Sequence, residues 1–234
     1  MRHVRFLALA VFALWGCTVE IGSGRLSTES RELDSFNRIA IHSGIRAEQT
    51  LGPQSFALTT DDNLLKVVET GVADRVLNVR VRPDVVISST NGVRAVIASE
   101  ELTGIEATGG SQVMGAATEA DQWRLEASGG SQVTVTGIVA ARSNANASGG
   151  SRITAGGVTT ELTAEASGGS KLLFDGLAAQ DVTLEGSGGS QLEVRASGSV
   201  RGDLSGGSQA FVSGSPVVRE VNVSGGSQVE YGAR

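Results

Sequence analysis

Cysteine occurs once in this sequence, at Cys17, so no internal disulfide can staple the chain. Histidine occurs twice, as His3 and His42. With one thiol beside them, these supply too few ligands for a zinc site of the usual kinds, and any Ser-His-acid triad rests on His42 alone. No nucleophile elbow or phosphate-binding loop is present. Aromatic residues make up only 4% of the chain and proline only 3 residues, so a conventional core of large side chains is poorly supplied. Apolar runs are short as well. The segment from Phe6 to Leu14 cannot span a bilayer as a helix, and no later stretch is long and apolar enough to do so.

Glycine is abundant, at 32 of 234 residues, and it is periodic. Gly-Gly-Ser begins at Gly109, Gly129, Gly149, Gly168, Gly188, Gly206 and Gly225, in steps of 20, 20, 19, 20, 18 and 19 residues. A period that steady marks one structural unit per repeat, stacked on its neighbours. Counting from the first glycine as zero, position +4 reads Val113, Val133, Ile153, Leu172, Leu192, Ala210, Val229, and position −4 opens Ile105, Leu125, Ala145, Ala164, Leu184. Position −2 opens with the small residues Ala107, Ala127, Ala147 and Ala166, which implies a narrow interior beside the corner. Polar residues alternate with these apolar ones, so each repeat holds at least two half-buried strands joined through the glycine corner. Helical three- and four-residue spacings are absent, and paired glycines suit a corner that needs positive φ. The fold class is therefore all-β, a right-handed single-stranded parallel β-helix, or solenoid, with about 20 residues per coil and rungs about 4.8 Å apart.

The chain divides by composition. Residues 1–16 read as an export signal, with Arg2 and Arg5 ahead of the apolar run. Leu14-Trp15-Gly16-Cys17 resembles a bacterial lipobox in which Cys17 carries lipid, with Trp15 where a small residue is usual. Cleavage before Cys17 leaves 17 Lys and Arg against 25 Asp and Glu, a net charge of −8. Nucleic acid is thereby excluded as an electrostatic partner, and the membrane is met through the lipid anchor only. Thr18 after the cysteine is not an inner-membrane retention residue of the aspartate kind, which favours an outer-membrane lipoprotein. Residues 17–34 read as a lipidated tether. Residues 35–232 read as one β-helix domain, with 35–102 forming irregular first coils or a cap and 103–232 the regular repeats; a separate small β-domain is the alternative for the first part. Asn63 to Thr70 reads as strand rather than short helix.

Together, Phe36-Asn37-Arg38-Ile39-Ala40-Ile41, Asp62-Asn63-Leu64-Leu65, Ala95-Val96-Ile97 and the recurring Ser-Gly-Gly-Ser-Gln-Val resemble the bacterial envelope family called putative auto-transporter adhesin, head GIN domain. The resemblance covers roughly residues 35 to 232 and implies a β-helix, export and frequent lipidation. It implies no catalytic residues and no cofactor.

Two rows of side chains are candidate surfaces. Position −3 carries Glu106, Glu126, Glu165, Glu185 and Asp203, interrupted by Asn146 and Asn222. Stacked outward, these form an acidic ladder that either solubilises the rod or attracts cations, with Arg124 and Arg201 at −5 placed to relieve the repulsion. Position +3 carries Gln112, Gln132, Gln191, Gln209 and Gln228 with Arg152 and Lys171, a row whose amides either form a ladder with one another or present a polar strip to a glycan. Serine at +2 in every copy reads as rung-to-rung hydrogen bonding. Three functions compete: a non-enzymatic envelope rod that binds an extended glycan or an envelope protein, a carbohydrate-active β-helix enzyme, and a self-assembling structural protein whose last coil is uncapped.

Overall fold

The computed structural model describes residues 18–232 of the chain; Cys17 and the export segment lie outside the described residues. Among the described residues there is no α-helix, and strands stack in parallel coils of about 20 residues, forming a β-solenoid. Each of the four central repeats is one long bent strand, such as Gln132–Ala147 or Lys171–Gly186, running from one glycine corner to the next, while the first and last repeats are each split into two strands. Its partner in the next coil lies parallel and in register, with Val133 opposite Ile153 and Ala147 opposite Ala166. The inequality of the repeats is absorbed away from the glycine corner. Register shifts fall between Val135 and Ile138, between Thr154 and Gly156, and between Phe174 and Ala178.

The corner follows from its residues. Gly129 and Gly130 have φ of 62° and 79°, and every later copy repeats the pair. Two consecutive positive φ values are the requirement of a type I′ turn, open to glycine at little cost. The serine that follows turns inward. Ser111, Ser131, Ser151, Ser170, Ser190, Ser208 and Ser227 are all buried. The Ser151 hydroxyl donates to the Ser148 carbonyl at 2.7 Å and accepts from the Ser131 amide at 3.2 Å. The same pair of bonds recurs at Ser131 and Ser170. Buried polar groups are thus satisfied from rung to rung, as the serine row leads one to expect.

Inside, the −4, −2, +4 and +6 rows make one continuous core. A further inward row at −6, Trp123, Ser143, Leu162, Val182 and Val200, adds bulk that its irregular chemistry conceals in the sequence. Trp123 is fully buried, and its indole N–H donates to the Thr118 carbonyl at 2.9 Å.

The first coils are stacked out of sequence order. Arg38–Ile41 and Arg46–Leu51 pair in parallel with Gly104–Ala107 and Gln112–Ala116 of the first regular coil. On their other side lie Val76–Val81 and Arg94–Ser99, which come later in the chain. Beyond these, the sheet turns antiparallel: Val68–Ala73 pairs with Val76–Val81, Ser55–Asp61 with Arg94–Ser99, and Leu26–Ser30 with Ser55–Asp61. These charged and glycine-bearing outer strands blunt the edge that a bare solenoid end would present. Asn63 to Thr70 is a short 3-10 turn, Leu65–Val67, leading into strand, so the expectation of strand holds only for its second half.

The segment expected to be a tether is structured as well. Thr18–Ile21 and Leu26–Ser30 are strands, and the turn between them is hydrogen-bonded to Asp62 and Asn63. Their sequence lacks apolar alternation because they sit at the periphery with most side chains exposed.

Candidate functional site

The two flat faces of the solenoid flank the glycine corner. On one, the −3 side chains point outward in register: Glu106 beside Glu126, then Asn146, Glu165, Glu185, Asp203 and Asn222. The structure therefore brings the expected acidic ladder together. Its asparagines serve as donors, Asn146 Nδ2 to Glu165 Oε2 and Asn222 Nδ2 to Asp203 Oδ1, both at 2.9 Å. Arg124 lies 3.4 Å from Glu126. Arg201 turns instead to Glu220 at 3.0 Å, so it does not neutralise Asp203. A shallow groove runs beside Glu165, Glu185 and Asp203, with Ser167, Ser187 and Ser205 as its other wall. Nowhere among the described residues do three His, Cys, Asp or Glu side chains converge as a metal site requires. One carboxylate per rung spreads the charge along the rod rather than gathering it.

On the other face, Gln112, Gln132, Arg152, Lys171, Gln191, Gln209 and Gln228 lie in one row. Arg46 and Arg94 extend it by two rungs. Sequence reading missed this extension, although a signal exists. Ile41 is opposite Ala107 and Arg46 opposite Gln112, which makes His42-Ser43-Gly44-Ile45 an eighth corner. Ser43 and Gly44 take φ of 64° and 73°, like the paired glycines. His42 occupies the Thr108 position one rung away and meets its hydroxyl at 2.8 Å, a structural bond within the corner.

The row at +5 flanks this strip with Met114, which is exposed, and the half-buried Leu173 and Phe211. Gln191, Glu193, Gln209, Phe211, Gln228 and Glu230 line a second shallow groove between the rows. Glu48 forms an ion pair with Arg94 at 2.6 Å, so the cationic end of the strip is partly balanced. The two faces thus differ in kind: one row is acid and amide without a cation, the other amide and cation without a carboxylate.

Comparison with known proteins bears on this geometry. The family model described as putative auto-transporter adhesin, head GIN domain, matches residues 35–216. A putative adhesin from Bacteroides fragilis superposes with a TM-score of 0.85 at 18% identity, over 91% of this chain and 99% of that one. A protein from Parabacteroides distasonis described as a putative lipid binding protein gives 0.74 at 13% identity, over 92% and 100% of the two chains. A putative adhesin from Parabacteroides merdae gives 0.68 at 18% identity, over 92% and 99%. At such identities the likeness is one of fold. No curated protein matches the chain.

Proposed function

Because the chain belongs to the family described as putative auto-transporter adhesin, head GIN domain, we propose that it is a non-enzymatic binding protein of the cell envelope. In this reading Cys17 carries lipid, the outer membrane holds the anchor, and the solenoid presents its faces to an extended or multivalent ligand.

The observation that supports it best is the row from Arg94 and Arg46 through Gln112 to Gln228, one hydrogen-bonding side chain per rung in continuous register. A polymer that repeats along its own axis meets an equivalent group at each step. Many weak contacts then add through high effective concentration. An extended glycan, with hydroxyls and carboxylates along its length, fits a strip of amides and cations. A catalytic reading has no comparable support, since the carboxylates of the −3 row stand one to a rung without a convergent acid-base pair.

Binding of the full chain to peptidoglycan, envelope glycans and whole cells, with and without calcium, tests the proposal. Saturable binding that weakens stepwise on adding Gln132→Ala, Gln191→Ala and Gln209→Ala supports it. A turnover activity abolished by one carboxylate change, such as Glu165→Gln, refutes the non-enzymatic reading. Binding indifferent to all three glutamines refutes the ladder.

A further inference from the structure

Thr18–Ile21 and Val85–Ser88 form a separate two-stranded parallel ribbon at the N-terminal end of the rod. Its inner face is satisfied: Val85 is buried with Leu64, Val67 and Val81 in a small core of their own, and Ile87 packs against it. Its outer face is not. Val19 and Val86 stand opposite each other and are 62% and 51% exposed, and Ile21 on the same strand face is 72% exposed. Three branched apolar side chains in open solvent on one small ribbon need a partner. Glu20, one residue between Val19 and Ile21, alternates to the opposite face and leaves this one without a carboxylate from its own strand.

The ribbon is also fixed in place. Asn63 Nδ2 donates to the Ile21 carbonyl at 2.8 Å, and the Ser23 amide donates to Asn63 Oδ1 at 2.9 Å. The Ser23 hydroxyl donates to Asp62 at 2.5 Å, and Arg25 lies 2.9 Å from the same carboxylate. Asp61 is buried and accepts from the Ser89 hydroxyl and the Asn91 amide, which secures the far end of Val85–Ser88.

From this placement we infer that the outer face of the ribbon, Val19, Ile21 and Val86, rests on the lipid bilayer and sets the rod against the membrane. The inference rests on the anchoring reading above. What identifies the occupant is the chain outside the described residues: it ends at Cys17, one residue from the ribbon, and the apolar run Phe6 to Leu14 precedes it. Neighbouring Cα atoms are about 3.8 Å apart, so a lipid on Cys17 brings the bilayer to the edge of the ribbon. An uncleaved apolar run would bring it nearly as close. The clamp leaves no slack through which the ribbon could stand away.

The test uses the full chain, purified with its anchor and reconstituted in phosphatidylethanolamine and phosphatidylglycerol vesicles with or without bromine on the acyl chains. Val86→Trp places an indole on the ribbon, and Val158→Trp places one on an exposed position of the rod, where valine is 52% exposed. Both positions are open, so neither change threatens the fold; the native Trp123 is buried, and Trp15→Phe is added to both variants so that the leader adds no emission. An apolar face seated in the interface lies about 5–10 Å deep, so the ribbon indole is expected to lose at least about half its emission to brominated lipid while the rod indole does not. A chain that floats with the vesicles but is quenched at neither position overturns the inference and leaves the anchor standing. A chain that does not float overturns both. Equal shielding at position 86 in detergent and in vesicles, with a crosslinked dimer, overturns it in favour of a second copy.

Discussion

The guanidinium carbon of Arg219 lies 4.7 Å from the centre of the Tyr231 ring, across the last described coil. Arg219 stands opposite Val200, in the inward row that holds Trp123, Leu162 and Val182 farther back. A cation therefore stands exposed at that row's position in the last described coil, and the aromatic ring beneath supplies a favourable surface. Val223, by contrast, is 43% exposed, and Val221 and Val229 are half-buried. An inward charge is a known means of discouraging edge-to-edge growth. Arg219→Val is accordingly expected to raise self-association above that of the unaltered chain, read as concentration-dependent mass by sedimentation. Equal masses at all concentrations would remove Arg219 from that role.

Tyr231 is the only tyrosine in the chain, so its ionisation can be followed by ultraviolet absorbance without interference from another. Burial pushes its pKa up from 10.0, and the nearby Arg219 charge offsets part of that rise. Because the folded pKa is the higher one, the stability that Tyr231 contributes is complete below pH 10.0 and is lost as pH rises through the folded value. The titration midpoint is expected above 10.0, and higher still in Arg219→Ala. A midpoint at 10.0 would mean that the last coil is frayed in solution.

The two glycines of each corner are not equivalent. A Cβ on Gly129 would lie 3.3 Å from the backbone nitrogen of Gly109 one rung away, whereas a Cβ on Gly130 meets nothing within 4 Å. Both need positive φ, which asparagine tolerates better than alanine. Gly130→Asn is expected to shift the urea midpoint slightly. Gly129→Ala suffers both the backbone and the steric cost and is expected to destabilise by about 2 kcal/mol. Equal costs for Gly129→Ala and Gly130→Ala would show that conformation alone, without rung contact, selects the first glycine.

Ser151 joins two neighbouring rungs through one oxygen. Ser151→Ala removes the acceptor of the Ser131 amide and the donor to the Ser148 carbonyl, both at buried sites. Leaving such groups unpaired costs about 1–3 kcal/mol, which should appear as a lowered thermal midpoint. An unchanged midpoint would make the ladder a consequence of the corner rather than a support for it.

The regular coils were legible because each carries the same chemistry at the same interval: paired glycine for positive φ, an inward serine, and flanking alternation. Where chemistry varies at a constant position, the sequence hides the geometry. The −6 row changes from tryptophan to serine to leucine, yet all are buried, because the solenoid needs filling there and not a particular residue. The corner at Ser43-Gly44 escaped notice because after Leu51 the chain first builds the cap and the neighbouring coil, Val76–Val81 and Arg94–Ser99, and reaches the other side of the coil of residues 38–51 only at Gly104. Thr18–Ser30 carries no apolar period, since its strands pair at the periphery. The candidate faces were readable as rows, but their hydrogen bonds were not. Arg201 satisfies Glu220 rather than the row beside it because the parallel register sets those two side chains on adjacent rungs at one position.

The asparagines within the acidic row make a further difference testable. Asn146 lies between Glu126 and Glu165 and donates to the latter. Asn146→Asp replaces that donor with a third charge in line. Like charges directly opposite on neighbouring strands cost roughly 0.2–1 kcal/mol, and salt screens them. The thermal midpoint is expected to fall at low ionic strength and to recover in part at high salt. A fall of the same size at both would point to the lost hydrogen bond alone.

Removing a coil tests the architecture and the binding proposal together, and the choice of coil matters. Excising Gly129–Ser148 would set Trp123 against Leu162 in place of the small Ser143, overpacking the −6 row. Excising Gly149–Ser167 joins Ser148 to Gly168, so that two coils of equal 20-residue length meet without the register shifts at Val135 and Thr154. It also removes Gly157, whose φ of 138° and contact with the Ile138 backbone mark the irregular point of that coil. The shortened chain is expected to fold with a thermal midpoint near that of the full chain, since a solenoid is stabilised by nearest-neighbour interfaces that this excision re-forms. It also brings Gln132 beside Lys171 and shortens the polar strip by one rung. Ligand affinity should therefore drop by a modest factor while the fold persists. Abolished binding in a folded, shortened chain would place the ligand at the Arg152 rung alone, and not along the rod.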